Sequence, residues 1–214
     1  MEPREFHWPM SVLYSKFFAI AMEPAYAEAA RNVPVPHRPK TLLDIGGADG
    51  RLAIALARQH PYLPKIVTAD ISQDLVIRAR RKAEQHGLSR QIHAEVQDVH
   101  NLSYDDNSFD VVMSFGSMHH WREPLKALHE LHRVLKPEGS LAIYDGHDRP
   151  SLKDMRKAVS TVEGSSIWTA LVYWLGSKDF LARHEITGII HDAGIEFLSV
   201  TWNGPLCLIG GTKG

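Results

Sequence analysis

The sequence predicts an α/β fold, a seven-stranded and mostly parallel sheet with helices on both faces and an antiparallel last strand. Three observations carry that prediction. Between residues 41 and 145, short runs rich in β-branched residues and leucine alternate with stretches of helical period, the pattern of right-handed strand–helix–strand units. The first such run ends in Asp44 and a glycine-dense turn, Gly46-Gly47-Ala48-Asp49-Gly50, which lets main chain approach a ligand closely. The last two runs are separated only by Asn203-Gly204-Pro205, and strands joined by so short a turn must be antiparallel.

In chain order, residues 10 to 32 read as one or two helices interrupted at Pro24, with Leu13, Phe17, Phe18 and Ile20 apolar. Pro34, Pro36 and Pro39 then give a stiff connector. The strand-like runs are Thr41–Ile45, Lys65–Asp70, Gln91–Gln97, Phe109–Phe115 and Ser140–Asp145, and helices fill Gly50–His60, Gln73–His86 and Glu123–Leu135. Ser72 is placed to cap the second of these helices. Pro124 sits where a first helical turn tolerates proline, ahead of a stripe of Leu125, Leu128, Leu131 and Leu135. Lys136-Pro137-Glu138-Gly139 reads as a turn. The alternation stops after Asp145, and 146–176 is expected to form a lid or acceptor-binding insertion with a polar hinge at Glu163-Gly164-Ser165-Ser166. A helix over Asp179–Ala193 with Gly194 as its left-handed cap follows, then strands Ile195–Trp202 and Leu206–Gly211. The whole of 1–214 is expected to be one domain, with 1–39 as a helical cap.

The 214 residues carry a formal net charge of -1, so the charge balance points to neither nucleic acid nor membrane as partner. The cluster Arg78, Arg80, Arg81 and Lys82 lies on a helical pattern and reads as a solvated face. Cys207 is the single cysteine, which suits a reducing cytoplasm. No apolar run reaches the roughly 20 residues that span a bilayer, and the first residues lack the layout of a secretory signal. The 13 histidines are scattered without zinc-ligand spacing. His129 and His132 share a predicted helix, where a solvated face is the simpler reading, so no metal is expected.

Asp44, Asp70 and Asp98 stand at the ends of the first three strand runs. In an open parallel sheet ligands bind outside those carboxyl ends. Asp70, about 20 residues past the glycine turn, is at the distance where a carboxylate accepts ribose hydroxyls. Asp98 is placed to accept from an adenine amino group. Any one of these aspartates is equally well a cap or loop residue; the three together, with the glycine turn, point to a nucleoside.

Asp44-x-Gly46-x-Ala48-x-Gly50, Asp70, Asp98, Phe109-Asp110-Val111-Val112 and Leu135-Lys136-Pro137-Glu138-Gly139-Ser140-Leu141, taken in order, resemble the motifs of class I S-adenosylmethionine-dependent methyltransferases. The similar subgroup is the small-molecule one related to ubiquinone/menaquinone biosynthesis, with a Rossmann-like sheet. The resemblance implies that Gly46, Gly47, Ala48 and Gly50 pass beneath the methionine moiety and Asp44 holds its ammonium group. It implies Asp70 on the ribose, Ile71 flanking the adenine, Asp98 and Val99 at its edge, and Ser114 and Phe115 near the sulfonium. Tyr14 would close over the cofactor. Ala48 departs from the family's usual glycine and, disfavouring positive φ, is expected to alter the turn slightly.

A sulfonium is already electrophilic, so the implied chemistry is alignment of acceptor, methyl and sulfur with exclusion of water. His119 and His120 follow the fourth strand and are the candidate bases. Asp145 and His147 form a second candidate pair at the acceptor; with Asp148 they could hold a divalent metal, although the set is poor in carboxylates. Trp121, Trp168, Tyr173 and Trp174 are candidate walls for a small-molecule acceptor, equally readable as core. An NAD(P)-dependent oxidoreductase is disfavoured because the turn lacks Gly-x-Gly-x-x-Gly spacing. A non-catalytic cofactor-binding module is the other alternative, against which the three retained aspartates argue.

Overall fold

The structure is a computed structural model, in which residues 22–34, 39–148, 150–161 and 180–214 are described. Seven strands form one sheet in the order β3-β2-β1-β4-β5-β7-β6. They are β1 (Thr41–Ile45), β2 (Lys65–Asp70), β3 (Ile92–Val96), β4 (Phe109–Phe115), β5 (Leu135–Gly146), β6 (Ser199–Asn203) and β7 (Leu206–Thr212). The first five pair in parallel and β7 runs antiparallel between β5 and β6. The described helices are α1 (Glu23–Asn32), α2 (Arg51–Gln59), α3 (Gln73–Gln85), α4 (Pro124–Val134), α5 (Leu152–Thr161) and α6 (Arg183–Ala193). Among the described residues no helix is long and apolar enough to cross a membrane.

β1 explains its own position. Leu42, Leu43 and Ile45 are buried to within 2%, which is what a central parallel strand covered on both faces requires. On one face Leu42 joins α1 and α2 through Ala30, Leu52 and Leu56. On the other Leu43 and Ile45 join α4 through Leu128 and Leu131, and α6 through Ile186. The strand order reverses between β1 and β4, so their carboxyl ends open a crevice where the glycine turn and Asp44 lie.

Several boundaries differ from the sequence reading. The buried stripe of α4 is Ala127, Leu128, Leu131 and Val134, while Leu125 is 39% exposed; the apolar face begins half a turn later than the leucine spacing suggests. Lys136–Gly139 does turn, but as a bulge within β5. Phe109 pairs with Leu135 and Val111 with Ser140, and Glu138 takes up the excess at φ 62°. Ser72 stands at the N-cap of α3 without a side-chain bond. α6 starts at Arg183 rather than Asp179, where Glu185 accepts from the Ala182 amide at 2.7 Å. β6 starts at Ser199, because Ile195–Leu198 is a turn whose apolar side chains lean on the core instead of entering the sheet. Gly194 caps α6 in the left-handed region at φ 62°. Pro24 lies in the first turn of α1, which starts at Glu23, and the segment it is expected to separate lies before the described residues. The expected helices before residue 22, residues 35–38 of the proline connector, and most of the expected lid lie outside the described residues.

Candidate active site

Two adjoining cavities open at the carboxyl ends of β1, β2 and β4. The larger, about 920 Å³, is walled by Asp70, Ile71, Asp98, Val99, His100 and Trp121 among others. The smaller, about 240 Å³, is walled by Tyr26, Asp44, Gly46, Gly47, Ala48 and Phe115, with Asp49, Arg51 and Leu52. Gly46 and Ala48 border both, so a ligand lying across the two must pass over the glycine turn.

The turn is held by carboxylates. The Ala48 amide donates to Asp70 Oδ2 at 3.0 Å and the Ser72 amide to Oδ1 at 2.9 Å. Burial pushes the Asp70 carboxyl up, opposed by these main-chain donors. Asp49, 1% exposed, pairs with Lys82 at 2.5 Å and with Arg51, which also reaches Glu23. Gly47 has no room for a side chain, since a Cβ there would stand 2.0 Å from Thr68 Oγ1 and 2.6 Å from Asp44 Oδ2. Ala48 adopts φ 48°. The backbone of the turn is therefore kept in the left-handed region despite the methyl group, at a cost of about 1–2 kcal/mol.

Asp44 is fully buried in the middle of the sheet, opposite Thr68. Thr68 Oγ1 donates to its Oδ2 at 2.9 Å. Its Oδ1 is buried with no hydrogen-bond partner among the described residues. Burial, then the nearby Asp70 charge, push this carboxyl up to about 7, against the pull of the Thr68 hydroxyl. A carboxylate oxygen so placed at a cavity wall calls for a cationic or donor group.

At the larger cavity Asp98 is engaged by its neighbour. The His100 amide and ring Nδ1 reach Oδ1 at 2.9 and 2.6 Å, and Arg122 stands 3.9 Å from Oδ2. Burial pushes the Asp98 carboxyl up, but the two His100 contacts and Arg122 outweigh it and hold the carboxyl below its ordinary value. His100 Nε2 accepts from the Glu123 amide at 3.2 Å. Ile71 is 46% exposed, an apolar side chain presented to the cavity it borders.

The other candidate residues are distributed as follows. Ser114 is buried with its hydroxyl 2.7 Å from that of Ser117, and Ser117 is the one of the two that borders the larger cavity. Phe115 meets Tyr26 edge-on at 4.9 Å and stacks with Tyr144 at 5.9 Å. Gly50 borders neither cavity; it starts α2 at φ 81° against Ala79. Trp121 stands at the larger cavity with His120. His119 is bonded to Asp145, ring Nδ1 to Oδ1, at 2.8 Å. His147 has Nδ1 2.9 Å from the Asp148 carbonyl and Nε2 3.0 Å from the Gly204 carbonyl and 2.9 Å from Arg183, which ties the end of β5 to the β6–β7 turn. Asp145 is thus joined to His119 and not to His147. Tyr14, Trp168, Tyr173 and Trp174 lie outside the described residues. Sequence reasoning passed over Tyr26, Ser117, His100 and Arg122. The Asp-x-His spacing of Asp98 and His100 is a usable signal for one of them; Tyr26 had none beyond being an aromatic on a helix.

Residues 43–143 match the family described as a methyltransferase domain. Demethylmenaquinone methyltransferase of Bacteroides fragilis is 30% identical over 139 residues, covering 64% of this chain and 56% of the relative. The 2-phytyl-1,4-naphtoquinone methyltransferase of Nostoc punctiforme is 32% identical over 139 residues, covering 65% and 60%. The chain therefore spans little more than half the length of these curated relatives. Among solved structures, a putative S-adenosyl-L-methionine-dependent methyltransferase from Methanococcus maripaludis superposes with a TM-score of 0.70 over 95% of this chain and 90% of its own, at 23% identity. That likeness establishes the fold.

Proposed function

We propose that the chain is a class I S-adenosylmethionine-dependent methyltransferase that moves a methyl group to a small-molecule acceptor by in-line displacement, a reading supported by the match of residues 43–143 to a methyltransferase domain and by the sheet order. The observation that carries this is the partnerless Asp44 Oδ1, buried at the wall of the smaller cavity beside a turn without side chains. An α-ammonium group supplies the charge and the donors that this oxygen lacks. The residues present therefore fit the cofactor, which supplies the electrophilic methyl.

In this assignment the methionine end lies in the smaller cavity over Gly46, Gly47 and Ala48, with Asp44 on the ammonium. The nucleoside lies in the larger, with Asp70 on the ribose, Ile71 flanking the adenine, and Asp98 and Val99 at the adenine edge. Phe115, at the wall of the smaller cavity, then lies near the sulfonium, with Ser114 supporting the end of β4. The chain's contribution to rate is positioning, worth up to about 7–11 kcal/mol for a well-aligned displacement, and exclusion of water. His119 and His120, just beyond β4, are the side chains available to accept a proton from the acceptor. The names of the two curated relatives specify quinone-type substrates, and a small aromatic acceptor is the class we favour. We place the enzyme in the cytoplasm, where the buried Cys207, its thiol pushed up to about 12 by burial, has no disulfide to make.

The test is calorimetric titration with S-adenosylhomocysteine and with NADH. Binding of the first and not the second is expected, and Asp70→Ala should abolish it. No binding of S-adenosylhomocysteine removes the assignment, and binding without any turnover returns the chain to a non-catalytic module.

A further inference from the structure

The contact between His119 and Asp145 is built by the sheet. Phe115 at the end of β4 pairs with Tyr144 in β5, and the Gly116 amide donates to the Tyr144 carbonyl at 2.7 Å. The 3-10 turn Met118–His120 follows directly and sets His119 over Asp145. The carboxylate, 2% exposed, then accepts three hydrogen bonds: from the His119 amide to Oδ2 at 3.0 Å, from the His119 ring to Oδ1 at 2.8 Å, and from the Gly146 amide to Oδ1 at 2.6 Å.

The Gly116 and His119 amide bonds to β5 already fasten the turn, and the Gly146 amide holds the carboxylate from its own strand. The bond from the His119 ring is different, because it selects a tautomer: an ionised carboxylate only accepts, so Nδ1 carries the proton and Nε2 presents its lone pair. Among the described residues Nε2 has no hydrogen-bond partner. The His119 ring lies 4.0 Å from that of His120 and meets Phe180 edge-on at 4.4 Å. Titratable groups facing it are therefore Asp145 and His120, with the apolar Phe180 on another side. Cys207, the strand partner of Asp145, keeps its proton in the neutral range. His119 itself walls neither cavity, but its chain neighbours do: Ser117 and His120 border the larger one and the His120 ring lies against its own, so the dyad adjoins the site just beyond the end of β4.

We propose that Asp145 is a positioning residue that orients His119 as the base for an acceptor bearing a phenolic or enolic hydroxyl. This rests on the methyl-transfer assignment above and narrows it, because a hydroxyl acceptor must give up its proton to become a nucleophile whereas a thiolate needs no base. The acceptor O–H proton passes to His119 Nε2. The electron pair so released, on oxygen or on the ring carbon conjugated with it, forms the new bond to the methyl carbon. The carbon–sulfur bond breaks with its pair going to sulfur, which leaves as a neutral thioether. The imidazolium returns its proton to solvent, and where carbon is methylated the proton it carried follows.

The experiment measures S-adenosylhomocysteine formation with phenol, 4-cresol, catechol and 1,4-naphthohydroquinone as acceptors, against pH, for the wild type, Asp145→Asn, His119→Ala and His119→Gln. Binding of S-adenosylhomocysteine is followed in parallel. Turnover of at least one phenol is expected. His119→Ala and His119→Gln should lower kcat by about 10²–10⁴-fold, with added imidazole recovering part of it in His119→Ala. Asp145→Asn should lower kcat at least tenfold, hold S-adenosylhomocysteine affinity within twofold, and move the acid limb of the rate profile to lower pH, since the imidazolium loses its counter-charge. Asp145→Asn with unaltered kcat and pH limb overturns the proposal. So does a wild type that binds S-adenosylhomocysteine but methylates none of the phenols, or, should Asp145→Asn fail to fold, a His119→Ala variant at wild-type rate. A wild type that does not bind S-adenosylhomocysteine overturns the methyl-transfer assignment itself.

Discussion

With Asp44 assigned to the ammonium group as proposed above, cofactor binding is expected to be proton-linked, to an extent that follows from the burial of its carboxyl. Buried carboxyls favour the neutral form, and this one is pushed from 3.8 up to about 7. Two consequences follow with opposite signs. In the ligand-free protein the folded state binds the extra proton between about pH 4 and 7, so this group's contribution to stability is present at low pH and is lost as pH rises through 7. The difference is about 4 kcal/mol, from roughly three pH units at 1.36 kcal/mol each. Ligand binding runs the other way, because an ammonium group is held by the ionised carboxylate. Ionisation rises from about a tenth at pH 6 to about nine-tenths at pH 8, so affinity for S-adenosylhomocysteine should rise about tenfold, about 1.4 kcal/mol. Calorimetry in two buffers of different ionisation enthalpy should show close to one proton released on binding at pH 6 and little at pH 8. Asp44→Asn should bind more weakly, lose this pH dependence and be the more stable ligand-free protein at pH 8. Affinity that is flat from pH 6 to 8 in the wild type, or that keeps its slope in Asp44→Asn, refutes the reasoning.

Other expectations are simpler. Gly47→Ala drives a Cβ to 2.0 Å from Thr68 Oγ1 and breaks the Thr68–Asp44 bond; thermal denaturation should show a loss of about 1–3 kcal/mol, and S-adenosylhomocysteine should bind at least tenfold more weakly. Ala48→Gly relieves a residue held at φ 48°. The gain of about 1–2 kcal/mol is partly offset by the unfolded-chain entropy of glycine, about 0.5–1 kcal/mol, so Tm should rise by a few degrees with ligand affinity kept. A fall in Tm would mean the turn is not strained by its alanine.

The glycine turn and the three aspartates were legible in the sequence because each obeys a local rule: a strand must end, a turn must bend, and a carboxylate follows at a fixed remove. β1, β2 and β4 run over the predicted residues for the same reason. The start of β6 was not legible, since Ile195, Phe197 and Leu198 carry strand-like apolarity while serving as anchors for a turn. The α4 stripe was misplaced because leucine spacing cannot say that Ala127 and Val134 are the deeper residues. The candidate base shows the limit most clearly. His119 and Asp145 were each visible as candidates, 26 residues apart, but their pairing exists only because β4 and β5 are neighbours in the sheet. His147, closer to Asp145 in sequence, is turned to carbonyl oxygens instead.

Transfer of a methyl group to a small molecule is tested directly by one labelling experiment. The protein is incubated with S-[methyl-³H]adenosylmethionine and a cell extract divided into small-molecule, protein and nucleic-acid fractions. Label is expected in the small-molecule fraction, and none with Asp70→Ala. Label confined to protein or nucleic acid, or no transfer by a protein that binds the cofactor, would contradict this.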